Sequence, residues 1–146
     1  MTPDLLDQRL RATANSGVYH LPPGGAVALS ASAARLGLRF ETIDLDGCSD
    51  KHDFLGRMAG ALRFPDWFGH NWDALADCLS DLEWLPADGY VLLLAHADLF
   101  RGRAEADFVV ALGILQQAAR GWAEAGVPMW VFVDLGSNGI SHLRNL

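Results

Sequence analysis

Asp73, Asp77 and Asp81 recur every four residues, a spacing that puts three carboxylates on one face of a helix, opposite Leu75 and Leu79. Like charges so placed cost a helix about 0.2–0.5 kcal/mol per pair. Asp73 has a local reason to be there: it falls in the first turn behind Asn71, a good cap, where the helix dipole welcomes an anion. Asp77 lies too far along to gain from the dipole, and Asp81 nears the end that disfavours it. The surroundings make the imbalance sharper. Between Phe64 and Phe100 there is no Lys or Arg, while Asp66, Asp73, Asp77, Asp81, Glu83, Asp88 and Asp98 all fall there, so this stretch matches the net charge of −7 of the whole chain. Directly upstream, Trp67-Phe68-Gly69-His70 sets two large aromatics beside a glycine, a composition suited to a contact surface, with one of the two aromatics expected in the core. A row of carboxylates flanked by aromatics is built to dock on something basic.

Other chemistries are weaker. His70, Asp73 and Asp77 offer ligands for a divalent cation on one helix edge, which makes a metal-dependent hydrolase conceivable. Such a site needs ligands from other elements, and no obvious set follows downstream. Cys48 with His52, and His96 with Asp98, have workable spacing but lack further partners and read as structural. Cys78, one residue past Asp77 and toward the buried side, reads as a core thiol. Gly24-Gly25 is too short for a phosphate loop, and there is no dinucleotide fingerprint or nucleophile elbow. No catalytic residue, metal or cofactor is expected.

The elements that position this row follow from periodicity. Thr2-Pro3-Asp4 opens a helix to about residue 14, and Asn15-Ser16-Gly17 breaks it. Residues 18–21 form a short strand stopped by Pro22-Pro23-Gly24-Gly25, and the alanine-rich stretch 26–36 forms a helix closed by Gly37. Phe40, Ile43 and Leu45 mark a strand. Ser49 or Asp50 caps a helix burying Phe54, Leu55, Met58 and Leu62, which Pro65 closes. The acidic helix runs over about 71–83, with Trp72, Leu75, Ala76 and Leu79 at helical spacing. Residues 90–96 are a continuous apolar strand, 104–125 a long helix, and 129–133 a last buried strand.

Strands alternating with helices imply an α/β fold on a small parallel sheet with right-handed crossovers: three core strands, with a fourth offered by the N-terminal extension. The chain reads as a single domain, 1–146, made of an extension (1–37), a core (38–134) and a tail (135–146).

Composition bounds the rest. With 146 residues, 51% of them hydrophobic, the chain supplies a real core. The acidic balance argues against nucleic acid or an anionic membrane as direct ligand. No run approaches a membrane span, the first residues lack the features of a signal peptide, and two cysteines are too few for a disulfide framework. A cytoplasmic, reduced protein is expected.

The run Phe64-Pro65-Asp66-Trp67-Phe68-Gly69-His70-Asn71-Trp72-Asp73-Ala74-Leu75-Ala76-Asp77-Cys78-Leu79 resembles the signature of the barstar family, intracellular inhibitors of barnase-type ribonucleases. The family pattern is a proline, an aromatic pair, glycine, asparagine, then Asp-Ala-Leu, an aromatic and Asp-Cys-Leu. The resemblance covers about 40–134. It implies a barstar-like fold and a stoichiometric inhibitor whose acidic helix enters the basic active site of an extracellular or toxin-type ribonuclease, as immunity proteins do. Asp77 then stands where the family's acidic residue occupies the phosphate site, and Asp73 is the second acidic contact. Trp67 replaces a contact tyrosine, and Phe68, Gly69 and Asn71 fall in the same binding segment. Asp81 is added here in place of a small residue. Ala76 stands where the family has an aromatic, and Gly121 where it has another acidic contact. A regulatory or scaffold module that inhibits no nuclease is the other expectation.

Overall fold

The computed structural model describes residues 1–136, 139 and 143–146, so the expected tail lies partly outside the described residues. Thr2 opens the first helix, α1 (Pro3–Arg11), its hydroxyl accepting from the Leu5 amide at 3.2 Å. The helix stops three residues short of the expected end, followed by a 3₁₀ turn at Thr13–Asn15. Strand β1 (Gly17–His20) leads to α2 (Gly25–Leu36), closed by Gly37 in the left-handed conformation, where a side chain would be strained. Strand β2 (Arg39–Asp44) precedes α3 (Lys51–Leu62), capped by Asp50 rather than Ser49. That helix ends at Leu62 with Arg63 left-handed, three residues before Pro65. Then come α4 (Trp72–Asp81), β3 (Tyr90–Ala95), a short α5 (Asp98–Arg103), α6 (Glu105–Glu124) and β4 (Met129–Val133).

The four strands form one wholly parallel sheet in the order β1-β4-β3-β2. The chain is thus an α/β protein, and the N-terminal segment supplies the fourth strand. From β2 to β3 to β4 the chain steps across the sheet with α3 to α6 on one face. From β1 to β2 it crosses the whole sheet through α2 on the other. Reversing both the direction and the face keeps every crossover the same hand.

Side chains alternate to match. Tyr90, Leu92 and Leu94 of β3, with Met129, Val131 and Val133 of β4, pack on α3 to α6. Val91, Leu93, Trp130 and Phe132 pack on Leu6, Leu10, Leu29 and Ala33 of α1 and α2. Burial on both faces is why β3 and β4 read as unbroken apolar runs. Strand β2 is an edge, mostly half-exposed, and carries an Arg39–Glu41 ion pair. Charge there discourages pairing with another chain.

Helices α1 and α2 are tied by Arg35, whose guanidinium donates to both Asp7 oxygens at 2.9 Å, and by the Ser32 hydroxyl, which also donates to Asp7. These contacts hold the Asp7 carboxyl down at about 2, the Arg35 hydrogen bond contributing most.

Candidate protein-binding site

Helix α4 starts where the sequence expects. Asn71 Oδ1 accepts from the Ala74 amide at 2.8 Å, satisfying one of the donors that a helix start leaves over. The helix ends at Asp81, two residues early, because Leu82 turns left-handed (φ 50°) and its amide bonds back to the Cys78 carbonyl. Glycine usually takes that place. Leu82 takes it with its side chain 1% exposed, so burial offsets the backbone strain. His70, just ahead of the cap, is also left-handed (φ 51°). A bulky residue at each end of one helix is held in a conformation that costs of order 1–3 kcal/mol.

The two faces of α4 differ as the periodicity requires. Leu75, Cys78 and Leu79 are buried, and Asp73, Asp77 and Asp81 are all exposed. Among the described residues the ion pairs are Arg35–Asp7, Arg39–Glu41 and Arg57–Asp53, and none of them uses this acidic row. Among the described residues Asp81 accepts only from the Glu83 amide, at 3.3 Å. The row therefore presents carboxylates whose charge nothing in the described chain neutralises.

The segment before the helix separates its two aromatics. Phe68 is 6% exposed and packs edge-on against Phe64, with centroids 4.9 Å apart. Trp67 is 62% exposed and stands edge-on against Trp84, which in turn meets Phe64. Phe68 thus belongs to the core and supports the loop, while Trp67 offers its ring to solvent beside the acidic helix. Gly69 is exposed; its carbonyl lies 3.4 Å from Asn71 Nδ2.

A cluster of Lys51, His52, His70 and Trp72 at the start of α4 escapes sequence reasoning. The Lys51 ammonium lies 5.0 Å from the centroid of the Trp72 ring, and the His52 and His70 rings face each other at 6.0 Å. Nothing in the local pattern brings the start of α3 to that point, since tertiary packing alone does.

The remaining candidates are accounted for by structure. Cys78 is buried, and burial first, then Asp77 and Asp81, pushes its thiol up. Cys48 is likewise buried and raised. Neither is a thiolate nucleophile near neutral pH. The His96 amide donates to Asp134 and Asp98 accepts from the Gly136 amide, so this pair ties the turn after β3 to the segment after β4. Among the described residues no three His, Cys, Asp or Glu side chains gather closely enough to hold a metal ion. No helix among them is long and apolar enough to cross a membrane.

The structure thus sets an acidic helix face near an exposed tryptophan on a parallel α/β frame. The family model described as Barstar (barnase inhibitor) matches residues 38–134, more than half of the chain. The chain belongs to the barstar family. No curated protein matches it. The barstar match begins one residue before β2 and ends one residue after β4, so it takes in α4 and all its supports but neither α1, β1 nor α2.

Proposed function

We propose that this barstar-family chain is a stoichiometric protein inhibitor of a basic ribonuclease of the secreted or toxin type. A ribonuclease holds its substrate's phosphates with Arg, Lys and His, so its active site is a concave positive patch. A rigid helix edge of carboxylates imitates those phosphates, blocks substrate and steers association. On this reading Asp77, mid-helix, is the principal phosphate mimic, Asp73 the second, and Asp81 an additional contact. Trp67 supplies an apolar anchor, Gly69 and Asn71 line the approach, and Phe68 supports them from the core. No catalytic group, metal or cofactor takes part, and the protein acts in the cytoplasm.

The observation that carries the proposal is the exposed Asp73–Asp77–Asp81 row, outside every ion pair among the described residues. Its test is an inhibition titration against a panel of small basic microbial ribonucleases, with Asp77→Ala in parallel. Stoichiometric inhibition that the mutant loses is the expected result. Partner binding that ignores both salt and Asp77→Ala would instead indicate a regulatory or scaffold module.

A further inference from the structure

Beside the acidic row the surface is open. Ala76 and Ser80 of α4, with Val110, Gly113, Ile114 and Ala118 of α6, line a groove of about 450 Å³. Among the described residues that line it, Gln117 is the one amide side chain and none is charged. Val110 is 42% exposed, so its side chain is open to solvent along the groove. Ala76 keeps the groove open: its half-buried methyl lines it, so a larger side chain at that position would take up its space. Gly113 widens it, since a Cβ on Gly113 would meet nothing within 4 Å.

The groove and the acidic row are one continuous surface. Asp73 precedes Ala76 by three residues on α4, and Asp77 precedes Ser80 by three, so each acid neighbours a groove residue on the helix surface. On α6, Asp107 precedes Val110 by the same step. An apolar cleft is therefore rimmed by carboxylates from both helices.

We infer that this groove receives one aliphatic or aromatic side chain that a basic partner carries between Arg or Lys residues. The apolar side chain fills the space left by Ala76 while its cationic neighbours pair with Asp73, Asp77 and Asp107. This deepens the inhibitor reading and rests on it for the partner's nature. It makes Ala76 the residue that sets which partner fits, because a partner lacking the protruding side chain leaves the groove unfilled.

The test uses the isotope-labelled full chain and two peptides, Ac-Arg-Lys-Trp-Lys-Arg-amide and its counterpart with alanine at the centre, followed by amide NMR shifts. The tryptophan peptide should shift the amides of Ala76, Gly113 and Ile114 together with the acidic row. The alanine peptide should shift the acidic row alone. Ala76→Trp, which fills the groove, should weaken the tryptophan peptide by roughly tenfold, the scale of one buried apolar side chain, and leave the alanine peptide unchanged. Gly113→Leu, which improves helix propensity and so does not endanger folding, should do the same. Identical shift patterns for the two peptides would overturn the inference, as would a ribonuclease inhibited equally by wild type and Ala76→Trp. A ribonuclease panel that the chain never inhibits, with the tryptophan peptide still seated between α4 and α6, would end the inhibitor reading and uphold the groove.

Discussion

The Trp122 indole Nε1 donates to the Leu79 carbonyl at 2.7 Å. Leu79 lies in the last turn of α4, where carbonyls have no partner within the helix. The same device appears twice more: Trp84 donates to the carbonyl of Leu62 at the end of α3, and Trp130 to that of Leu10 near the end of α1. Trp122 and Trp130 join a helix terminus to an element distant in sequence, and Trp84 joins one to the turn after α4. For α4 the result is an acidic face pinned to α6, which spares a partner the cost of ordering it.

Trp122→Phe keeps an aromatic ring but removes the donor. Trp122 is half-buried, so water can reach part of the orphaned carbonyl, and the loss should be about 1 kcal/mol rather than the full penalty of a sealed site. Urea denaturation measures it. An unchanged midpoint would mean that the indole hydrogen bond does not hold the helix in solution.

Asp77→Ala should move stability and binding in opposite directions. Asp77 stands four residues from both Asp73 and Asp81, so its removal relieves two repulsive pairs worth about 0.2–0.5 kcal/mol each. The midpoint of unfolding should therefore rise slightly or stay level. Affinity for an inhibited ribonuclease should fall by on the order of 3 kcal/mol, as when one partner of a desolvated ion pair is removed. Its dependence on salt should flatten as well. A mutant that lost both stability and affinity would place Asp77 in a structural role instead.

The acidic helix was legible in the sequence because its start and its faces are local properties: Asn71 is a strong cap and four-residue spacing is visible without a structure. Its end was not. Leu82 in a left-handed conformation has no sequence mark, because glycine normally occupies that position, and the helix reads two residues too long. Which of Trp67 and Phe68 faces out was equally hidden, since Phe64 and Trp84 decide it through contacts across the fold. The short helix Asp98–Arg103 was missed because six residues are too few to show a period. The first strand was recognisable, but its place beside β4, at the opposite edge from β2, is a long-range pairing that no local pattern encodes.

Asn71→Ala should cost about 1 kcal/mol, the usual effect of losing a capping side chain. Asn71→Asp should retain the stability, because its carboxylate can still accept from the Ala74 amide and suits the helix dipole. Thermal unfolding of the pair distinguishes a cap from a mere surface residue: equal losses in both variants would show that the hydrogen bond contributes nothing.

The Asp7 carboxyl sets an acid limit on the N-terminal segment. In the unfolded chain it titrates near 3.8, and in the fold it is held at about 2 by Arg35 and Ser32. Its folded value is depressed, so its contribution is complete above 3.8 and disappears as pH falls through 2. Asp53, lowered by Arg57, acts in the same sense. Unfolding measured at successive pH values should show stability falling across that window, less steeply in Asp7→Asn. An equal slope in wild type and Asp7→Asn would show that the Asp7–Arg35 contact is not maintained in solution.

Residues 1–37 lie outside the barstar match, yet their removal should prevent folding of the remainder. Without α1 and α2, the Trp130 and Phe132 rings, now 0% exposed, and Val91 and Leu93 beside them would face water. Burial of each such side chain is worth about 1.5–3 kcal/mol, so four of them together rival the net stability of a whole domain, about 5–15 kcal/mol. Loss of β1 would also leave β4, five residues long and wholly apolar, as an edge open to pairing between chains. A fragment beginning at residue 38 should therefore aggregate or unfold without a cooperative transition. If it were instead monomeric, unfolded cooperatively and still inhibited a ribonuclease, the extension would be an accessory and the second face of the sheet would need less cover than its composition demands.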